Sequence, residues 1–268
     1  MRTGQEKDNG QDALPEVKRV RRIMLIVAYD GTSYCGWQVQ PNGDTIEANL
    51  NRYLSELLKE NIHVLGASRT DSGVHALGTV AVFDTCARMP AEKIALAINT
   101  YLPPNIRVQR SLEVPPDFHP RYQRVIKTYE YRICNRKIPD PCRRLYSLFY
   151  YWDLDEQKMQ RAADHLVGSH DFSSFCTHKP EIRDYTRTIY ALSVERTGDE
   201  VTVRITGNGF LYNMVRIIVG TLLRVGTGML DPDEVKTILE AKDRSLACET
   251  ARPEGLTLVR IQYPDAQI

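Results

Sequence analysis

Segments with the periods of strands and of helices are interleaved along the whole chain, from residue 23 to residue 263. Residues 201–206 alternate apolar and polar side chains, which is typical of a half-buried strand. Residues 45–59 place their apolar side chains on one helical stripe, and Asp44 or Thr45 precedes them as a candidate N-cap. This mixture predicts an α+β fold with mainly antiparallel sheet.

The same patterns predict the remaining elements. Strands are expected at about 23–29, 62–66, 78–83, 106–114, 125–134, 145–153, 188–196, 200–206 and 256–263. Further helices are expected at about 90–101, 155–167 and 214–225, and one is expected to begin at Asp231-Pro232, with the aspartate as its cap. Pro115-Pro116 is the best linker, so we predict an N-terminal domain over 21–114 and a C-terminal domain over 115–268. Residues 1–20 are polar at their start and are predicted to form a disordered arm.

Positive charge is concentrated in one part of a chain whose net charge is only +1. Residues 119–144 contain eight Lys and Arg residues and two acidic ones. A concentration of this kind is compatible with a face that binds a polyanion, and equally with a solvated basic surface.

The cysteines and histidines show no metal-binding spacing. The six cysteines form no C-x-x-C pair, and the six histidines form no H-E-x-x-H motif. We therefore expect reduced thiols, no metal and a cytoplasmic protein. The charged N-terminus does not resemble a signal peptide, and no apolar run is long enough to span a membrane.

Asp71 lies in a polar loop between two apolar runs, two residues after Arg69. A cation close to a carboxylate favours its ionised form, which can act as a nucleophile or a base. The alternative is an ordinary turn, because Asp-Ser-Gly is a common turn sequence. The loop alone does not decide between the two interpretations.

Arg216 is the charged residue in the otherwise apolar or neutral stretch 215–223. A helix that is apolar on all sides is normally buried, and a buried guanidinium requires a partner. Asp71 is a candidate partner. The alternatives are a structural ion pair with another acid, or an arginine whose head group reaches solvent.

Aromatic residues accompany basic ones in two further segments. On a strand, Lys127, Tyr129 and Tyr131 share one face, which could stack on a nucleobase or form the edge of a core. Residues 118–122 form a basic and aromatic loop (Phe118, His119, Pro120, Arg121, Tyr122). His75 has apolar neighbours, and we expect it to be a hydrogen-bonded structural residue.

Taken together, these segments resemble the tRNA pseudouridine synthases of the TruA type. The similar motifs are Tyr29-Asp30-Gly31-Thr32, Gly36–Pro41, Arg69-Thr70-Asp71, Lys127–Tyr131, Gly209–Gly220 and Glu254–Leu258. They occur in the family's order and extend over nearly everything from residue 23 onward. Ser68 and Ser72 depart from the family pattern, which usually has glycine and alanine there, and so do Thr79 and Arg252.

The resemblance implies a fold and an activity. The fold would be two similar α+β halves around a central basic cleft, usually in a homodimer. The activity would be the cofactor-free isomerisation of uridine to pseudouridine in the anticodon arm of tRNA, at tRNA positions 38 to 40. The base would have to leave the helical stack before the enzyme could reach its glycosidic bond.

The resemblance also implies roles for individual residues. Asp71 would be the nucleophile, attacking either C6 of the base or C1′ of the ribose, and Arg216 would orient it. Tyr129 would stack on the target uracil, and Arg69 would hold the uridine flipped out. Other tRNA contacts would come from Phe118, His119, Arg121, Tyr122, Lys127 and the 177–188 loop. A non-catalytic RNA-binding protein and a carboxylate-dependent glycosidase are the weaker alternatives.

Overall fold

The computed structural model describes residues 19–266, so the predicted arm lies almost entirely outside the described residues. The described part contains the following elements in chain order: β1 (Arg21–Tyr29), α1 (Ile46–Leu58), β2 (Leu65–Gly66), β3 (His75–Thr85), α2 (Ala91–Ile98), β4 (Ile106–Val114), β5 (Ile126–Asn135), β6 (Leu148–Tyr150), α3 (Glu156–Asp164), β7 (Gly168–Asp171), β8 (Thr186–Thr197), β9 (Glu200–Gly207), α4 (Met214–Gly226), α5 (Glu234–Ala241) and β10 (Leu256–Gln262).

The strands form one sheet in the order β4-β1-β3-β10-β5-β9-β8-β7, with β2 paired to β3 and β6 paired to β5. Most pairs are antiparallel, and the β10–β3 and β5–β6 pairs are parallel. The predicted α+β class with mainly antiparallel strands is therefore confirmed. The division into domains at residue 115 stays a prediction, since the sheet is continuous across it.

Strand β10 joins the two parts of the sheet. Leu258 lies opposite Ala76 of β3 on one side and opposite Tyr129 of β5 on the other. Its side chain is fully buried. The loop that precedes β3 and the strand β5 are thereby held on opposite sides of one strand.

Helices α1 and α4 follow the sequence pattern closely. The Thr45 side chain accepts a hydrogen bond from the Ala48 backbone N–H and caps α1, as the sequence allowed. Apolar residues of α4 are buried along its whole length. The core is thus built against a helix that carries Arg216 in its first turn.

Several element boundaries differ from the prediction. The strand expected at 145–153 is only Leu148–Tyr150, because the preceding backbone turns, with both Tyr146 N–H and Ser147 N–H donating to the Arg143 carbonyl. Helix α5 begins at Glu234 instead of Pro232. The edge strand β7 was not predicted, since it is short and mostly polar.

Candidate active site

A basic cleft of about 980 Å³ opens where the loop before β3, strand β5, the 179–187 segment and the start of α4 meet. Two acidic residues line it, Asp71 and Glu181. The cationic residues that line it are more numerous: Arg69, Arg121, Lys127, Lys179, Arg187 and Arg216. This excess of positive charge suits a polyanionic ligand.

The segment that carries Asp71 is held tightly by residues 29–37. The Tyr29 hydroxyl and Thr70 Oγ1 are 2.7 Å apart, and the Trp37 N–H donates to the Thr70 carbonyl at 3.1 Å. Ser72 Oγ donates to the Tyr34 carbonyl at 3.1 Å. Gly36 permits this close approach: it has a φ of +85°, and a Cβ there would lie 2.6 Å from the Thr70 oxygen.

Asp71 and Arg216 meet in the cleft, as their sequence contexts suggested. Arg216 Nη1 lies 3.2 Å from Asp71 Oδ2, and the two side chains are 16% and 23% exposed. Arg216 also donates through Nε to the Ala251 carbonyl at 2.7 Å, and through Nη1 to Asn213 Oδ1 at 3.1 Å. The guanidinium is therefore fixed from three directions, and it faces a carboxylate 145 residues earlier in the chain.

Burial, more than the cation, sets the ionisation of Asp71. Desolvation raises the pKa of the Asp71 carboxyl above its ordinary value, although Arg216 and Lys179 both act to lower it. The sequence led us to expect that Arg69, two residues before Asp71, would favour the ionised form; the pKa of Asp71 is raised instead, because sequence spacing gives no measure of burial. A carboxylate that is weakly solvated is also a better nucleophile or base once ionised.

Tyr129 presents its ring to the cleft and its hydroxyl to the Asp71 segment. The side chain is largely buried, and its OH lies 3.1 Å from Ser68 Oγ. Phe210 packs edge-on against the ring at a centroid distance of 5.2 Å. Tyr131, on the same face of β5, is fully buried and donates to the Arg252 carbonyl. Of these two tyrosines, only Tyr129 lines the cleft.

Three basic residues that the sequence analysis expected to contact tRNA line the cleft together with Tyr129, and they differ in their contacts with the protein. Lys127 donates to the Ala67 carbonyl at 3.0 Å, and its burial lowers the pKa of its ammonium to about 8. Arg121 donates to the Gly66 carbonyl at 2.7 Å. Arg69 is exposed and makes no side-chain hydrogen bond or ion pair within residues 19–266. Arg69 is thus the cation that is least committed to the protein itself.

The loop at residues 118–122, before β5, has one ring packed into the protein and two rings on its surface. Phe118 is buried and packs against Tyr263, so it supports the loop and offers no ring face to a ligand. The direct RNA contact expected of Phe118 is therefore not compatible with its position. His119 and Tyr122 stack with ring centroids 3.9 Å apart, and Tyr122 is 84% exposed.

Most of the basic segment 119–144 does not face the cleft. Five of its other six cations pair with acids: Arg124 with Asp265, Arg132 with Glu130, Arg136 and Arg143 with Asp199, and Lys137 with Asp153. The sixth, Arg144, donates to the Pro141 carbonyl. From this segment, Arg121 and Lys127 line the cleft. The segment's charge is therefore largely balanced on the surface, and the cleft gains most of its cations elsewhere.

His75 is a structural residue, as predicted. Its Nδ1 accepts from the Gly31 N–H at 3.1 Å, and its Nε2 lies 2.9 Å from the Leu145 carbonyl oxygen. The Tyr146 hydroxyl donates to Asp30 beside it. These contacts connect the Asp30 turn with the segment before β6.

Lys179 and Asn213 belong to the site but were not singled out from the sequence. Lys179 Nζ lies 4.1 Å from the centroid of the Tyr212 ring, which holds the ammonium near Asp71. Asn213 adopts a left-handed conformation (φ 62°) directly before α4 and accepts from Arg216. An asparagine directly before an apolar helix could have indicated this position.

All six cysteines lie in the described part and are free thiols there. Within residues 19–266, no group of three or more His, Cys, Asp or Glu side chains is arranged to hold a metal ion. Over the same residues, no helix has both the length and the apolar character needed to cross a bilayer.

A protein-family model described as tRNA pseudouridine synthase matches residues 25–123 and 162–264. The chain belongs to this family. The matched segments include Asp71 and Arg216. The resemblance inferred from the sequence motifs is confirmed, and the chain is an isomerase that modifies tRNA.

Curated relatives match almost the whole chain. The tRNA pseudouridine synthase A of Exiguobacterium sp. is 46% identical over 244 residues, which cover 91% of this chain and 98% of the relative. The tRNA pseudouridine synthase A of Bacillus subtilis is also 46% identical, with 90% and 99% covered. Among solved structures, the archaeal box H/ACA sRNP Nop10–Cbf5 complex contains a chain that is 11% identical, with a TM-score of 0.29, and 46% of that chain is covered.

Proposed function

We propose that this enzyme converts uridine to pseudouridine in the anticodon arm of tRNA, at tRNA positions 38 to 40, with Asp71 as its nucleophile. One observation carries the proposal: a carboxylate, a guanidinium and an aromatic ring meet in a single basic cleft. The carboxylate is on the loop before β3, whereas the guanidinium and the ring come from α4 and β5.

The reaction leaves the composition of the RNA unchanged. Asp71 adds to C6 of the uracil or to C1′ of the ribose, and the C1′–N1 bond breaks. After the base has turned, C5 bonds to C1′, the C5 proton leaves, N1 gains a proton and Asp71 is released. No electron acceptor and no external group enters the equation.

Each side chain of the cleft has a task in this scheme. Arg216 fixes the carboxylate and opposes the rise in its pKa, so that more of it is ionised at neutral pH. Tyr129 stacks on the everted base. Arg69, which has no protein partner within residues 19–266, occupies the space that the base leaves or holds its phosphate.

Asp71→Asn tests the proposal directly. The amide keeps the shape of the carboxylate but is a far weaker nucleophile, so pseudouridine formation should be lost while tRNA affinity stays within about threefold. Pseudouridine is detected by carbodiimide-dependent primer extension on an unmodified tRNA transcript. Asp153→Asn is the matched control, since that side chain is 90% exposed and pairs only with Lys137 among the described residues.

The proposal fails if Asp71→Asn turns over at the wild-type rate. The proposed site of modification is wrong if the wild-type enzyme modifies uridines outside the anticodon arm and none within it. A protein that binds tRNA but forms no pseudouridine would favour the non-catalytic alternative.

The enzyme is further proposed to act as a homodimer in the cytoplasm. Phe149, Tyr151 and Trp152 are 37%, 47% and 59% exposed at and after β6, and exposed aromatic side chains grouped in this way are typical of an interface between chains. The free thiols suit a reducing compartment. Light scattering after size exclusion measures the mass, and a monomer at micromolar concentration would contradict the dimer.

A further inference from the structure

One hydrogen bond joins the catalytic loop to the ring that faces it. Ser68 Oγ and the Tyr129 hydroxyl are 3.1 Å apart, and both side chains are less than a tenth exposed. Ser68 directly precedes Arg69, and Tyr129 belongs to β5. The bond therefore spans the boundary between the two walls of the cleft.

The remaining bonds of the loop divide into two groups. Residues 70–73 are held by Tyr29, Tyr34 and Trp37, which lie on the same wall as the loop. Among the hydrogen bonds that residues 68–73 make within the described chain, two reach the opposite wall. They are the Asp71–Arg216 ion pair and the Ser68–Tyr129 bond.

These two bonds have different consequences for the reaction. The Asp71–Arg216 pair fixes the carboxylate relative to α4. The Ser68–Tyr129 bond ties the carboxylate segment to the ring on which the base is proposed to stack, whereas the neighbouring bond from Lys127 to the Ala67 carbonyl holds the backbone beside it. A nucleophile and its target must be aligned to within a fraction of an ångström for the full rate, and displacement by about 1 Å can cost about 100-fold.

We propose that Ser68 is a positioning residue whose hydroxyl, bonded to Tyr129, sets the spacing between the stacked base and the Asp71 carboxylate. The proposal rests on the proposed function of Asp71 and Tyr129. The bond needs a side-chain hydroxyl at position 68. Glycine could not form it, because it has no side chain.

A double-mutant cycle under single-turnover conditions tests the proposal. Ser68→Ala and Tyr129→Phe should each lower the rate of pseudouridine formation by about tenfold, with tRNA affinity unchanged within about twofold. The double variant should be no slower than either single variant, because each removes the same bond. Ser68→Thr, which keeps the hydroxyl, should restore most of the rate.

Thr206→Val is the matched control. Thr206 Oγ1 and Thr128 Oγ1 are also 3.1 Å apart, but this bond lies between β5 and β9 and does not touch the loop. The control should change the melting temperature at most and leave the rate unchanged. Rates are compared at a temperature at which every variant is folded.

A wild-type rate for Ser68→Ala would overturn the proposal. So would a loss of rate of about 100-fold in the double variant, the product of the two single losses. A loss of tRNA affinity in place of a loss of rate would also contradict it. These outcomes differ from a failure of the proposed function, in which Asp71→Asn would form pseudouridine at the wild-type rate.

Discussion

Asp71 is subject to two opposing influences, burial and the Arg216 guanidinium, and burial prevails. Because the folded pKa lies above the unfolded one, the ionised carboxylate reduces stability as the pH rises through the folded pKa. Activity has the opposite dependence, since a nucleophilic carboxylate must be ionised. The ionised Asp71 carboxylate therefore lowers the stability of the folded protein, while it is the form that can react.

Arg216→Met should lower the single-turnover rate by about 10- to 100-fold and move the acid limb of its pH profile to higher pH. The guanidinium is the largest influence that lowers the pKa of Asp71, so its loss leaves burial less opposed. The rate is measured from acidic to neutral pH with saturating tRNA. An acid limb at the wild-type position would show that Asp71 does not control it.

Lys127→Met should remove a pH dependence of both stability and binding. The folded pKa of Lys127 is about 8 and its ordinary value is 10.5, so between these values the unfolded chain holds more protons and stability rises with pH. Affinity for tRNA should fall as the pH rises through 8, because the ammonium is lost.

Thermal melting and tRNA binding, each measured from pH 7 to 10, check this prediction in the wild type, in Lys127→Met and in the exposed control Lys236→Met. A wild-type pH dependence that survives in Lys127→Met would exclude Lys127 as its source. The variant should also lower the salt dependence of binding by about one phosphate contact.

At the scale of elements, helix α4 positions Arg216 by packing tightly against the 249–251 segment. A Cβ on Gly220 would lie 1.9 Å from the Glu249 carbonyl oxygen, so the helix and this segment must be in direct backbone contact. The same segment supplies the Ala251 carbonyl that accepts from Arg216. The position of the guanidinium therefore depends on a glycine one turn further along the helix.

Gly220→Ala should destabilise the enzyme by about 1–3 kcal/mol and lower its activity, because the helix must move away from residue 249. Replacing glycine by alanine normally stabilises a helix by about 1 kcal/mol, so a loss of stability in Gly220→Ala would itself indicate the close backbone contact. Thermal melting gives the stability. Gly209→Ala is the control, since its nearest atoms are 3.7 Å from the new Cβ; equal melting of the two variants would contradict the contact.

Local patterns predicted the strongly periodic elements and the need of Arg216 for a partner. They left Asp71 as one candidate among others, and they failed where the outcome depended on distant parts of the chain. Arg216 stands alone in the apolar stretch 215–223, so a partner for its guanidinium could be inferred. The burial of Phe118 could not be predicted from the sequence, because an aromatic residue in a basic loop gives the same pattern whether it contacts a ligand or Tyr263. The strands that pair with β10 could not be predicted either, since the sequence of a strand does not specify its neighbours.

The molecule as a whole depends on β10, which lies between β3 and β5 and keeps the two walls of the cleft in register. Leu258→Ala should cost about 2–5 kcal/mol, because its side chain is fully buried where the two parts of the sheet meet. Arg260→Ala, on the same strand but exposed, should change stability by less than about 0.5 kcal/mol. Chemical denaturation measures both, and similar losses would show that this contact is not decisive.

The position of β10 also bears on synthesis. Apart from Leu256 itself, the residues that line the cleft precede β10 in the chain, so the ribosome completes the two walls before the strand that unites them exists. Until that strand emerges, the edges of β3 and β5 are open to pairing with other chains. A nascent chain arrested before residue 256 would therefore be an inactive and aggregation-prone product, and the enzyme gains its activity only when the final strand inserts.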